Sequence, residues 1–222
     1  MGDLRATVIP VTPLQQNCVL LWDEESKAAM VVDPGGDVYS ILEAVLQLGL
    51  TVERIVLTHG HIDHAGGAAA LKEALPGAVL QGPDERDAFL LDGLAVAGPA
   101  YGMMDARNVR PDAWLREGDV VTLGGVHRFE VLHCPGHTPG HLIFVAREAG
   151  LALVGDVIFR GSVGRTDFKP YGDTGALLRS IRDKVMALPD DTTFICGHGP
   201  GSTIGIERGT NGYVAEALAL RG

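Results

Sequence analysis

Cysteine is scarce in this chain: Cys18, Cys134 and Cys196 are three among 222 residues, with no C-x-x-C spacing. An odd, scattered set argues against a disulfide framework and against a thiolate zinc site. Long apolar runs are missing as well. None reaches the ~18 residues needed to cross a bilayer, and Met1-Gly2-Asp3-Leu4-Arg5 lacks the basic and then apolar regions of a leader. A soluble, cytoplasmic protein with no membrane partner is expected. Positive charge is in short supply, with 18 Lys and Arg against 28 Asp and Glu. The net charge of −10 and the single scattering of the basic residues leave no footprint for nucleic acid. Linkers, low-complexity stretches and repeats are also absent, and nothing marks an oligomeric state.

The remaining composition, 46% hydrophobic and 21% charged, suits a globular chain long enough to bury a sizeable core. Asn17 to Trp22 and Ala28 to Asp33 flank the polar turn 23–27 and read as a hairpin that Pro34-Gly35-Gly36 ends. Val38, Ile41, Leu42, Val45 and Leu46 recur at helical spacing, and the apolar run Arg54 to Leu57 follows as a strand. A helix over 65–75 and a short strand over 78–81 come next. Gly and Pro punctuate 83–115, which is expected to be an irregular loop over the active site. Hairpin signals recur at 120–123, 128–132, 142–146 and 151–154, followed by a helix through 177–188, a strand at 192–196 and a terminal helix at 213–220. This order predicts two sheets covered by helices in a single domain over 1–222.

Chemistry concentrates in the histidines. Thr58-His59-Gly60-His61-Ile62-Asp63-His64 sets three imidazoles and a carboxylate at the end of a buried strand, which makes a metal site the leading hypothesis. His133-Cys134-Pro135-Gly136-His137-Thr138-Pro139-Gly140-His141 and Cys196-Gly197-His198-Gly199-Pro200 follow later strands, and Gly155-Asp156 ends another. Only His127 lies outside these clusters, and it reads as a solvent-facing strand residue. At least seven nitrogen and oxygen candidates exceed what one tetrahedral structural zinc needs, which suits two ions of Zn²⁺, Fe²⁺ or Mn²⁺.

In this order, T-H-x-H-x-D-H at 58–64, His137, Gly155-Asp156 and Gly197-His198 resemble the metallo-β-lactamase-fold hydrolases over essentially the whole chain. Within that superfamily, 133–141 and the run Gly155 to Asp167 resemble the short, single-domain glyoxalase II type, the hydroxyacylglutathione hydrolases. The resemblance implies an αββα sandwich, an α+β fold of two mixed sheets flanked by helices. It also implies His59, His61 and His137 on one metal, Asp63, His64 and His198 on a second, and Asp156 bridging both. Zinc leads iron and manganese as the cofactor. A metal-bridging hydroxide would attack a thioester such as S-D-lactoylglutathione, with Asp63 as a catalytic group that orients it or takes its proton. Asp33 is a candidate partner for a ligand imidazole or a turn-forming Asp before Pro34.

The departures from that pattern bear on substrate. Two-domain glyoxalase II enzymes carry a helical extension that supplies cations to glutathione, whereas this sequence ends soon after His198. Arg165 stands where the family places a basic residue near a glutathione carboxylate, and Asp167 stands where the larger enzymes have tyrosine. Weak glutathione binding is expected. Tyr171 and Met103 are candidate pocket residues, and His141 is expected to lie off the metals. The rival reading is a mononuclear iron persulfide dioxygenase, with His59, His137 and Asp156 as its facial triad. Lactone and β-lactam hydrolysis share the metals.

Overall fold

The computed structural model describes residues 2–220; Met1 and the last two residues of the expected 1–222 domain lie outside them. Five strands form the first sheet: β1 (Leu4–Val11), β2 (Gln16–Asp23), β3 (Ala28–Val32), β4 (Thr51–Val56) and β5 (Val79–Gln81), in that order. β1, β2 and β3 run antiparallel, and β3, β4 and β5 run parallel. The change of sense follows from the connections. A four-residue polar turn returns β2 into β3, while the helix α1 (Val38–Gln47) carries the chain across to β4. β3 is buried along its whole length, as a strand covered on both faces must be.

The second sheet holds β6 (Val120–Leu123), β7 (His127–His133), β8 (Leu142–Ala146), β9 (Leu151–Gly155), β12 (Thr193–Cys196) and β13 (Ser202–Thr203), in the order β13-β12-β9-β8-β7-β6. A two-stranded ribbon, β10 (Ile158–Phe159) with β11 (Ser162–Val163), projects beyond β9. Apolar faces of both sheets meet in one core that includes Leu21, Met30, Val56, Phe129, Phe144 and Leu153. Helices cover the outer faces. α1 and α3 (Ala68–Ala74) pack on the first sheet, while α6 (Thr174–Ser180) and the terminal helix α8 (Gly212–Ala219) pack on the second. The αββα sandwich expected from the sequence is the observed architecture.

Several local expectations are corrected. The helix expected over 65–75 divides into α2 (Ile62–Ala65) and α3, because Gly66 and Gly67 approach the 34–36 backbone too closely for a side chain. The helix through 177–188 tightens into α6 and then widens into a π-helical turn at Ile181–Val185. The segment 83–115 is not a plain loop; its first half contains a 3₁₀ turn, α4 (Ala88–Leu91), α5 (Leu94–Ala97) and a second 3₁₀ turn. Such four-residue helices are too short to display a helical period. β1, α7 (Ile204–Thr210) and the ribbon have no counterpart in the sequence reading. His127 does not face solvent: it is buried, and its Nε2 lies 2.9 Å from Asp23 Oδ2, linking the two sheets.

Candidate metal centre

Every strand that ends at the site delivers one side chain or a cluster of them. β4 runs out at Val56, and the turn after it carries His59 and His61, with Asp63 and His64 in the single turn of α2. His137 follows β7, Asp156 follows β9, and His198 follows β12. The seven residues singled out by the sequence thus arrive from both sheets at one edge. Backbone bonds hold the two sheets together there. Asn17 N–H donates to Gly197 O at 2.7 Å, and Leu142 N–H donates to Thr58 O at 2.8 Å.

Two groups of potential ligand atoms form. His59 Nε2 lies 3.1 Å from His61 Nδ1, which lies 2.9 Å from His137 Nε2. Asp63 Oδ2 lies 3.1 Å from His198 Nε2 and 3.9 Å from His64 Nε2. Asp156 stands between them. One oxygen is 3.3 Å from His64 Nε2, and the other is 3.5 Å from His137 Nε2 and 3.7 Å from His198 Nε2. The three-histidine group and the Asp63-His64-His198 group each have the proximity to hold a metal ion.

Hydrogen bonds outside this ring fix which nitrogen carries each proton. Asp33 Oδ2 accepts from Thr58 Oγ1 at 2.6 Å and lies 2.8 Å from His64 Nδ1, while Oδ1 accepts from Thr58 N–H at 2.7 Å. A carboxylate can only accept, so His64 keeps a proton on Nδ1 and turns Nε2 inward, the nitrogen an ion would take in place of a second proton. Thr58 Oγ1, having donated its hydrogen, accepts from His59 Nδ1 at 3.0 Å and leaves His59 Nε2 bare. His137 Nδ1 donates to Arg165 O at 2.7 Å, and His61 Nε2 reaches Tyr171 Oη at 3.1 Å. His59 and His137 therefore aim a lone pair at the centre, with His61 Nδ1 and His64 Nε2 close beside them. Asp33 is the imidazole partner that the sequence left open, and it holds a left-handed φ of 54° to do so.

The electrostatics point the same way. Burial keeps His59 well below the usual imidazole range, lowers His137, and takes His61 to about 3, so these rings stay neutral. Burial also opposes charge on His64, but Asp156, Asp63 and Asp33 overcome it and raise the ring well above its usual value. Burial pushes Asp156 up, and His64, His137 and His198 more than offset that, leaving it far below the carboxylate range. The pocket demands positive charge beside Asp63 and Asp156. His64 Nε2 and Asp156 Oδ1 are buried without hydrogen-bond partners, as metal ligands would be. Gly197 leaves room for them, since a Cβ there would lie 2.0 Å from Asp156 Oδ1. The residues present fit two divalent cations.

The other candidates separate. His141 is buried behind the site, stacks on His59 at 4.6 Å and accepts from Asp156 N–H through Nε2. His133 turns outward to Pro139 O. Burial raises the thiols of Cys134 to about 12 and Cys196 to about 11, so neither offers a thiolate at neutral pH. Met103 lines a separate cavity beside Gly36 and Gly66. In front of the site lies a cavity of about 550 Å³, which Tyr171 and Arg165 line. The Arg165 guanidinium is exposed and held by Asp167 at 3.0 and 2.8 Å.

Sequence reasoning missed Asp87. Its buried carboxylate accepts from Gly60 N–H at 3.0 Å, Thr138 Oγ1 at 2.7 Å and Gly140 N–H at 2.6 Å, joining the turn of His59 and His61 to that of His137. No motif marked it, because its partners lie 27 to 53 residues away.

Residues 11–198 match the sequence profile of the Metallo-beta-lactamase superfamily. Hydroxyacylglutathione hydrolase GloC of Haemophilus influenzae is 43% identical over 95% of this chain and 98% of its own. The B3 metallo-beta-lactamase BLEG-1 superposes with a TM-score of 0.86 at 32% identity, over 95% of this chain and 99% of that one. The di-iron-bound form of TTHA1623 gives 0.81 at 37%, over 93% and 99%.

Proposed function

The chain belongs to the metallo-beta-lactamase superfamily, and on that premise we propose that it is a single-domain, binuclear, metal-dependent thioester hydrolase of the hydroxyacylglutathione hydrolase type. The observation that carries this is Asp156 standing between two candidate ligand groups, with Oδ1, buried and without a hydrogen-bond partner, 3.3 Å from His64 Nε2 and Oδ2 within 3.7 Å of His137 and His198. His59, His61 and His137 would hold one ion, Asp63, His64 and His198 the other, and Asp156 both. Two such ions supply Lewis acidity that makes water nucleophilic at neutral pH and polarises a carbonyl.

The chain's own residues prepare that chemistry. Asp33 and Thr58 lock the His59 and His64 tautomers before anything binds. The Arg165 carbonyl does the same for His137, and Tyr171 Oη holds the His61 ring at Nε2. Asp63 Oδ2 faces the site and is the group positioned to orient a water or take its proton. Burial and the His64 charge set Asp63 against each other, with the net effect lowering its carboxyl, so orienting is its stronger role. In the overall reaction water adds to the carbonyl carbon, the carbon–sulfur bond breaks, and the acid and the thiol are released. The reading takes support from the 43% identity to a hydroxyacylglutathione hydrolase over nearly the full length of both chains.

The test pairs metal analysis with turnover. Protein loaded with Zn²⁺, Fe²⁺ or Mn²⁺ should retain two ions per chain and hydrolyse S-D-lactoylglutathione or a simpler thioester. Asp63→Ala should stay folded and lose most of that activity. One ion at most, or an Asp63→Ala variant as active as the parent, overturns the reading. Oxygen uptake with glutathione persulfide by a one-iron protein would favour the dioxygenase instead.

A further inference from the structure

The cavity before the centre is built mainly from apolar side chains. Leu14, Leu90, Leu94 and Ala97 are among its lining residues. A ladder of rings joins them: Phe89 lies 5.4 Å from Tyr171, Tyr171 stacks on Phe168 at 5.9 Å and 11°, and Phe168 ends 4.8 Å from the His61 ring. Phe89, which lines the cavity, is 49% exposed, apolar surface that a bound arm would cover.

Cations are nearly absent from this wall. Arg165 is the single Lys or Arg among the residues lining it, and both Asp167 oxygens already hold its guanidinium. The same group sits 5.1 Å from the Phe168 ring centre. An arm with carboxylates would give up hydration along this wall for one already neutralised cation, in a chain of net −10. An uncharged apolar arm carries no such penalty and covers the ladder.

Resting on the thioester reading, we propose that the substrates are thioesters with an uncharged, apolar arm, best an aromatic one, laid along Phe168, Tyr171 and Phe89. The arm can belong to the thiol or to the acyl group, and two substrate series separate these. For the thiol side, the lactoyl thioester of benzyl mercaptan is compared with S-D-lactoylglutathione. For the acyl side, phenylacetyl-N-acetylcysteamine is compared with acetyl-N-acetylcysteamine.

In at least one series the aromatic member should have kcat/KM about tenfold higher or more. Phe89→Ala, at a half-exposed position with little bearing on folding, should bring that ratio close to one. Asp167→Asn should release Arg165 and raise kcat/KM for S-D-lactoylglutathione severalfold. Calorimetric binding of the unreactive thioether S-benzyl-N-acetylcysteamine, against S-methylglutathione, reports the arm preference without turnover. Tighter thioether binding without hydrolysis of any thioester overturns the hydrolase reading and keeps the arm. Preference for the glutathione members in both assays, unmoved by Phe89→Ala, overturns the arm and keeps the hydrolase.

Discussion

Replacing Asp87 by asparagine tests how the two ligand turns are tied together. The native carboxylate accepts three hydrogen bonds, from Gly60, Thr138 and Gly140. Burial nevertheless outweighs those bonds and raises its pKa from 3.8 to about 6. The folded chain therefore holds this proton more tightly than the unfolded one. Its contribution to stability is greatest below pH ~4, falls as pH rises through ~6, and is flat beyond. At about 1.4 kcal/mol per pH unit the whole change is about 3 kcal/mol.

Asparagine cannot titrate, and its amide must turn an N–H toward one of the three donors. That adds a pH-independent cost of about 1–3 kcal/mol for the donor left unpaired. The assay is urea unfolding of both proteins after chelator treatment, from about pH 4.5 to about 7.5, with titrations common to both cancelling in the difference. The wild-type advantage should be largest at the acid end and shrink toward neutrality. In the loaded protein the same variant should bind metal about 10–100-fold more weakly, because both turns lose their tie. A difference constant within about 0.5 kcal/mol across the range would show that burial does not control this carboxyl.

Two further outcomes follow from geometry. Gly197→Ala places a methyl 2.0 Å from Asp156 Oδ1 and 2.6 Å from His64 Cε1; it should leave at most one ion per chain by elemental analysis and cost about 10²-fold or more in kcat, whereas Gly77→Ala, with open space around it, should change neither. Asp23, which the Ser26 N–H and then His127 pull down to about 2, stabilises the fold above pH ~4 and loses that effect as pH falls toward 2. Asp23→Asn should lower Tm at pH ~7, and the gap to wild type should close below pH ~4 in calorimetry.

What could be read in advance divides along physical lines. The convergence of the seven candidate ligands was legible because several of them crowd one short stretch, and because each strand end was marked by Gly or Pro. Asp33 was half legible: its place at a strand end suggested a partner, but a turn before proline explained it equally well. Tyr171 was anticipated as a pocket residue, whereas Asp87 and Phe89 meet neighbours far away in sequence, and no local pattern encodes that. His127 was misread for the same reason, since its partner Asp23 is 104 residues earlier. β1 escaped because Pro10 lies within it and its outward face is exposed, as suits the edge strand it is.

The seven converging side chains are divided between the sheets: His59, His61, Asp63 and His64 ride on the first, and His137, Asp156 and His198 on the second. The spacing of the centre is therefore a gauge of how the two sheets are seated. A strand pleat advances about 3.3 Å per residue, as large as the gaps between these ligand atoms, so slippage by one position would disperse them. Side chains buried where the sheets meet, such as Phe129 and Phe144, touch no substrate, yet they set the clearance at the edge. An exchange deep between the sheets, far from any substrate, would therefore be felt at the centre as a change in the spacing of these side chains.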